Sequence, residues 1–450
     1  ALAGGTTPIP VDVRPDLRLL LFTAGLATAT VLLFGLLPAV RGTRIDLWPT
    51  LKADERISGA ARRRTFGGLV VIAQVALSLV LVFGAGLFAR SLRNLMRVPP
   101  GYDRENVLTV RMDPRAAGYA PSQLPDLYRR LIERVRTVPG VRSASVSLGS
   151  IAGGVTRTSG ISAQGYVPRV GERSNAQEVL VGPDYFATVG MVLLRGRDFD
   201  ARDAENAARV AIINETMAQY YFPGQDPIGR HFGYSAGHLD FEVVGLVRDA
   251  KVNNLREATP RVAFRPVFQE PEYLESIDVR VDNASALAAD IRRIVSDVDR
   301  NLPILGASTL SAQVARTMTQ ERLVARLSGL LGLFALALAC LGLYGVTSYS
   351  VALRTPEIGI RMAIGARSIS VRRMVLIQTI RLVVIGLIVG TPLSLGLARS
   401  LATQLFGLTA TDPLTLVGSA LLLASVTALA ADIPARRASH LDPMTALRSE

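Results

Sequence analysis

The stretch 327–353, LSGLLGLFALALACLGLYGVTSYSVAL, contains no Asp, Glu, Lys or Arg and lies between Arg326 and Arg354. At 1.5 Å rise per residue, roughly 20 apolar residues cross the hydrocarbon core of a bilayer. A buried core helix is the competing reading, and the length of the run argues against it. Working outward, four more charge-free runs occur at 19–40, 66–89, 382–398 and 414–431. The first two are long enough alone, and the last two must borrow flanking residues. Five such runs predict five transmembrane helices. The 49% apolar content of the 450 residues and their positive mean hydropathy agree.

The net charge of +13 invites a nucleic-acid reading, but its placement argues otherwise. Residues 41–65 carry seven Lys/Arg against three acids, and 354–381 carry six Arg against Glu357 alone. Arg436, Arg437 and Arg448 follow the last run, whereas 399–413 holds one Arg and one Asp. Short loops rich in Lys and Arg stay on the cytoplasmic side. Five spans place all three basic stretches there, with 1–18 and 90–326 outside and the C-terminus inside. The arginines then meet anionic headgroups of the lipid bilayer, and no nucleic acid is implied.

The large outside segment reads as soluble α+β. VLTVRMD at 107–113 alternates like a strand, and Leu124, Leu127, Leu131 and Val135 share one helical face. VRSASVSLG follows as a strand. A second strand–helix–strand set comes late, with SIDVRV at 276–281, a helix over 286–298, and LPILGAS. Between the sets lies a strand- and turn-rich insert with RVAIIN at 209–214 and FEVVGLV at 241–247. The picture is two similar α/β units with an insert. Residues 309–326 read as a helix running straight into the run at 327–353.

Chemistry-bearing patterns are absent from these 450 residues. The histidines are His231, His238 and His440, with no HExxH and no Cys/His cluster for zinc. No Gly-x-Ser-x-Gly elbow occurs. The lone cysteine, Cys340, sits inside an apolar run and reads as a packing residue. The only lysines, Lys52 and Lys251, follow Leu51 and Ala250, so neither belongs to a P-loop. No catalytic residue, metal or cofactor is expected, and ATP hydrolysis would fall to a partner chain.

The segments PAVRGTRIDLWPTLK at 38–52 and PARRASHLDPMTALR at 434–448 align without gaps. Pro38/Pro434, Ala39/Ala435, Arg41/Arg437, Asp46/Asp442 and Leu51/Leu447 are identical. Each copy follows an apolar run, with proline expected to end the span. Any span exit tends to show Pro and Arg, but not Asp and Leu at matched offsets. The pattern reads as an internal duplication. The chain, which opens ALAGGTTPIP, then reads as beginning mid-protein.

Between the third and fourth runs, Arg354, Glu357-Ile358-Gly359-Ile360-Arg361-Met362-Ala363 and Gly365-Ala366 resemble the signature loop of MacB/FtsX-type ABC transporter permeases. PDYFATVGMVLLRGRDF and AIINETMAQYYFPGQDPIGRHF are similar to the MacB-like periplasmic core domain, and DIPARRASHLDPMTALRSE resembles the closing motif. The order of motifs is most similar to duplicated, acidobacterial-type permeases with two units, of which this chain looks like the C-terminal part. The resemblance implies a multi-pass protein of the bacterial inner membrane with a periplasmic domain. A cytoplasmic ABC ATPase dimer would sit on loop elements and move the spans. A second FtsX-like unit and periplasmic or outer-membrane partners are implied as well.

The expected domains are 1–65, the last span and tail of a preceding unit; 66–90, the first span of the next; 91–326, the periplasmic core; and 327–450, an FtsX-like permease domain with three spans. Arg354, Glu357, Ile358, Gly359, Arg361, Met362, Ala363, Gly365 and Ala366 are the candidate ATPase-coupling residues. Ile358 and Met362, at i and i+4, would form an apolar anchor, and Glu357 and Arg361 would pair or meet partner charges. Two functions fit: a permease for export, or a mechanotransmitter that acts on an envelope partner and transports nothing. A membrane-tethered enzyme is the third reading, and no catalytic constellation supports it.

Overall fold

The computed structural model describes residues 53–439 except 149, 153–156, 201, 235–237, 365–366 and 410, together with Leu17, Leu21, Ala24, Gly25 and Thr28. Most of the first apolar run, the copy at 38–52 and the end of its match at 440–448 lie outside the described residues. The chain divides into two compact units. One comprises Ala1–Phe83, Gly332–Leu397 and Leu416–Glu450, and the other Gly84–Leu331 and Ala398–Thr415.

In chain order, α1 (Ala53–Arg97) leads to β1 (Val107–Met112), α2 (Leu124–Arg136) and β2 (Val141–Ser147). The insert holds β3 (Arg157–Gly160), β4 (Ser162–Ala163), β5 (Asn175–Val181), α3 (Tyr185–Val189) and β6 (Leu193–Gly196). It continues with β7 (Val210–Asn214), α4 (Glu215–Tyr221), β8 (His231–Gly233), β9 (Phe241–Val247) and β10 (Val262–Pro266). Then come β11 (Ser276–Val281), α5 (Ala284–Val298), β12 (Ile304–Thr309) and α6 (Leu310–Thr317). The chain closes with α7 (Thr319–Ala352), α8 (Thr355–Ala363), α9 (Ser368–Ser400) and α10 (Pro413–Ser439).

The strands form one mixed sheet in the order β12-β1-β11-β2-β5-β10-β7-β9-β8-β4, with β3 beside β5 and β6 beside β9. The two strand–helix–strand sets are interleaved rather than side by side. β11 pairs antiparallel with both β1 and β2, and β1 with β12, which gives two split βαβ units. Leu124, Leu127, Leu131 and Val135 of α2 are all fully buried, as their spacing requires, and share a core with Ile291 and Val295 of α5. At the centre of this sheet Asp278 is buried. It accepts hydrogen bonds from Thr109 Oγ1 and Ser147 Oγ, both at 2.6 Å.

Four helical segments are long and apolar enough to cross a membrane: Gly67–Arg97, Thr319–Ala352, Ser368–Ser400 and Pro413–Arg437. They cover four of the five expected spans, and most of the fifth, the run at 19–40, lies outside the described residues. Val71, Val75 and Leu79 of α1 meet Ala339 and Leu343 of α7, Val383 of α9, and Leu423 and Ala431 of α10 in one core. Backbones approach closely where glycine permits. A Cβ at Gly386 would stand 2.7 Å from Val75 Cβ, and one at Gly390 would stand 2.9 Å from Ala76 Cα. Large side chains such as Phe334, Leu341, Ile388 and Leu429 face outward, as hydrocarbon surroundings favour.

Two expectations need correction. The helix expected over 309–326 is two helices, broken at Met318 (φ −99°, ψ 16°). Thr317 and Thr319 hydroxyls donate back to the carbonyls of Val314 and Arg316, competing with the helical ladder at that point. Pro434 does not end its span but lies inside α10, which continues to Ser439. Helices packed among neighbours tolerate proline because its freed carbonyl can be satisfied locally. α1 is a single helix of 45 residues, and its apolar, span-length part is Gly67–Arg97.

Candidate functional site

α8 is a nine-residue helix between two long apolar ones. Glu357 lies in its first turn and Arg361 in its last, each at the end where the helix dipole favours its charge. Their side chains pair at 2.7 Å, both about half exposed. A pair this open is worth roughly 0.3–0.5 kcal/mol. Ile358 is 1% exposed and packs on Val371 of α9, with Val351, Met362 and Met374 around it. The apolar anchor expected to face a partner is therefore turned inward, and it seats α8 on the chain's own helices.

The outward face carries Glu357, Ile360, Arg361 and, just past the helix, Ile364; Ile360 is 50% and Ile364 82% exposed. Ile360 stood within the quoted motif but not among the candidates. The i, i+4 rule that picked Ile358 and Met362 applies equally to Ile360 and Ile364, so spacing alone could not choose between the faces. Gly359 is buried. The side chain of Ala363, and Gly365 and Ala366 entirely, lie outside the described residues.

Arg354 precedes α8, and its Nη1 donates to Gln378 Oε1 of α9 at 3.1 Å. Asp432 of α10 accepts from Arg372 of α9 at 2.7 Å and from Arg436 at 2.6 Å. Arg437 Nη1 donates to Tyr344 Oη of α7 at 3.0 Å. Arg436 and Arg437 of the closing motif therefore bind side chains of the bundle. Asp432 went unremarked in the sequence because it borders a charge-free run. Among the described residues no group of three His, Cys, Asp or Glu side chains converges as a metal would need.

Residues 69–296 match the family model described as MacB-like periplasmic core domain, and residues 329–443 match the FtsX-like permease C-terminal model. The chain belongs to the MacB-like permease family. The Mannheimia succiniciproducens macrolide export ATP-binding/permease protein MacB is 27% identical over 60% of this chain and 43% of its own length. The Pseudomonas syringae pyoverdine export ATP-binding/permease protein PvdT is 27% identical over 57% of this chain and 40% of its own. The chain thus spans about two-fifths of the length of these MacB-like relatives. The periplasmic region of MacB from Actinobacillus actinomycetemcomitans, covered over 97% of its length and 50% of this chain, is 14% identical with a TM-score of 0.34.

Proposed function

We propose that this chain is the inner-membrane permease component of an ATP-driven export system, and that a cytoplasmic ABC ATPase engages the outward face of α8. The observation that carries this reading is the two-sidedness of α8. Ile358 fixes it to the bundle, while Ile360 and the paired Glu357 and Arg361 are half exposed and open to a partner. A short helix clamped on one side and open on the other transmits a push instead of absorbing it. The family match supports the permease role, and the export named for the relatives supports the direction. The α/β domain would receive the motion on the periplasmic side. The repeat at 38–52 supports a second FtsX-like unit as the partner of this bundle.

The test is co-purification of the full-length protein with a candidate ABC ATPase. Glu357→Arg combined with Ile360→Asp is expected to weaken the complex at least about tenfold, which corresponds to about 1.4 kcal/mol. Thermal stability of the permease should stay near wild type. Ile358→Asp should instead lower the unfolding temperature, because it buries a charge without a partner. A double variant that binds the ATPase as tightly as wild type would refute the assignment.

A further inference from the structure

A hollow opens between α7, α8 and α9, lined by Thr347, Ser350, Arg354, Gln378, Thr379 and Leu382 among others. A water-sized group can be centred in about 30 Å³ of it, and all the empty space, open mouth included, is about 370 Å³. That inner space suits one oxygen-sized group with hydrogen-bonding partners. Arg354 lines it incompletely satisfied. Nη1 is held by Gln378, but Nε is buried with no partner. Among the described residues no carboxylate lies within ion-pair distance of Arg354. At the same end of the bundle Arg361, Arg372 and Arg436 each hold one. A cation with a sequestered, unused donor calls for an anion.

Where this arginine stands says which anion. It is the first charged residue after the charge-free run 327–353, and so lies at the level where a span leaves the hydrocarbon. Leu382 and Val346 add apolar lining to the polar groups. We infer that this hollow binds the phosphodiester of an anionic phospholipid, with one phosphate oxygen entering toward Arg354 Nε and the remaining headgroup at the mouth. The lipid then stands against Arg354 and Ile358, the residues that set the base of α8. The inference rests on the membrane-spanning reading of the bundle and not on engagement of an ATPase.

The experiment uses the full-length protein, delipidated in detergent and titrated with phosphatidylglycerol or phosphatidylcholine, with bound lipid counted by native mass spectrometry. Wild type is expected to prefer phosphatidylglycerol. Arg354→Gln should reduce that preference about tenfold, the scale of one charge-assisted contact. Gln378→Leu, which removes a partner without changing charge, should weaken it less. Arg381→Gln, a neighbouring basic residue outside the hollow, should leave it intact, as should Ile360→Asp. If Arg354→Gln does not fold, Arg354→Lys keeps the charge and should retain part of the preference. Inorganic phosphate is the second arm. Millimolar phosphate that displaces the lipid completely would show a site for free anion and overturn the lipid assignment. So would a wild type that binds both lipids equally, or an Arg354→Gln variant that keeps its preference.

Discussion

Asp278 sits in the middle of the split βαβ sheet, and burial pushes its carboxyl up to about 6 although Ser147 and Thr109 hydrogen-bond the charged form. An unfolded Asp titrates near ~3.9. The fold thus holds the proton more tightly than the open chain does. What Asp278 adds to stability is fully present below about pH 4 and is lost as pH rises through about 6. Asp278→Asn should therefore stabilise the α/β domain at pH 7.5 by up to about 3 kcal/mol, with the gain vanishing near pH 4. Hydrogen exchange in β1, β2 and β11 at the two pH values reads this directly. Equal protection in variant and wild type at pH 7.5 would refute it. Nothing in the sequence marked Asp278. SIDVRV alternates like any strand, and only pairing on both sides makes its third residue a core carboxyl.

The close approach of α1 and α9 depends on Gly386 and Gly390, four residues apart in GLIVG. Small residues at this spacing let apolar helices meet backbone to backbone where lipid offers no hydrophobic drive. Gly390→Leu should force the helices apart and cost about 1–3 kcal/mol, read as a lower unfolding temperature in detergent. Gly396→Leu, where an added Cβ meets nothing within 4 Å, should change it far less. Elements were legible where the signal is local: the α2 face, the last four apolar runs and the strands β1 and β9 lie where the residues put them. What a single run cannot encode is its partner. The interleaving of β1 with β11, the inward turn of Ile358 and the break at Met318 are settled by surfaces distant in sequence or by hydroxyls that compete with the ladder. For the coupling candidates, the motif located the helix, and the packing decided which face is free.

At the scale of the whole chain, the sidedness argued from arginine placement makes a simple demand. With Cys340→Ala as background, Val170→Cys in the α/β domain should react with an impermeant maleimide on intact spheroplasts. Arg367→Cys, between α8 and α9, should react only after permeabilisation. Both positions are exposed, so burial does not confound the comparison. The reverse pattern would invert the topology and remove the ATPase proposed above from reach of α8.

The insert that carries β3 to β10 leaves the split βαβ unit after Ser147 and returns at Ser276, and those two residues face each other across β2 and β11. Its ends are thus already held together by strands that belong to the rest of the domain. The pairing of β2 with β11 closes the loop, and each doubling of the loop's length then costs only about 0.6 kcal/mol more. The insert behaves as a cassette. Its length can change while β1, β2, β11 and β12 keep their register.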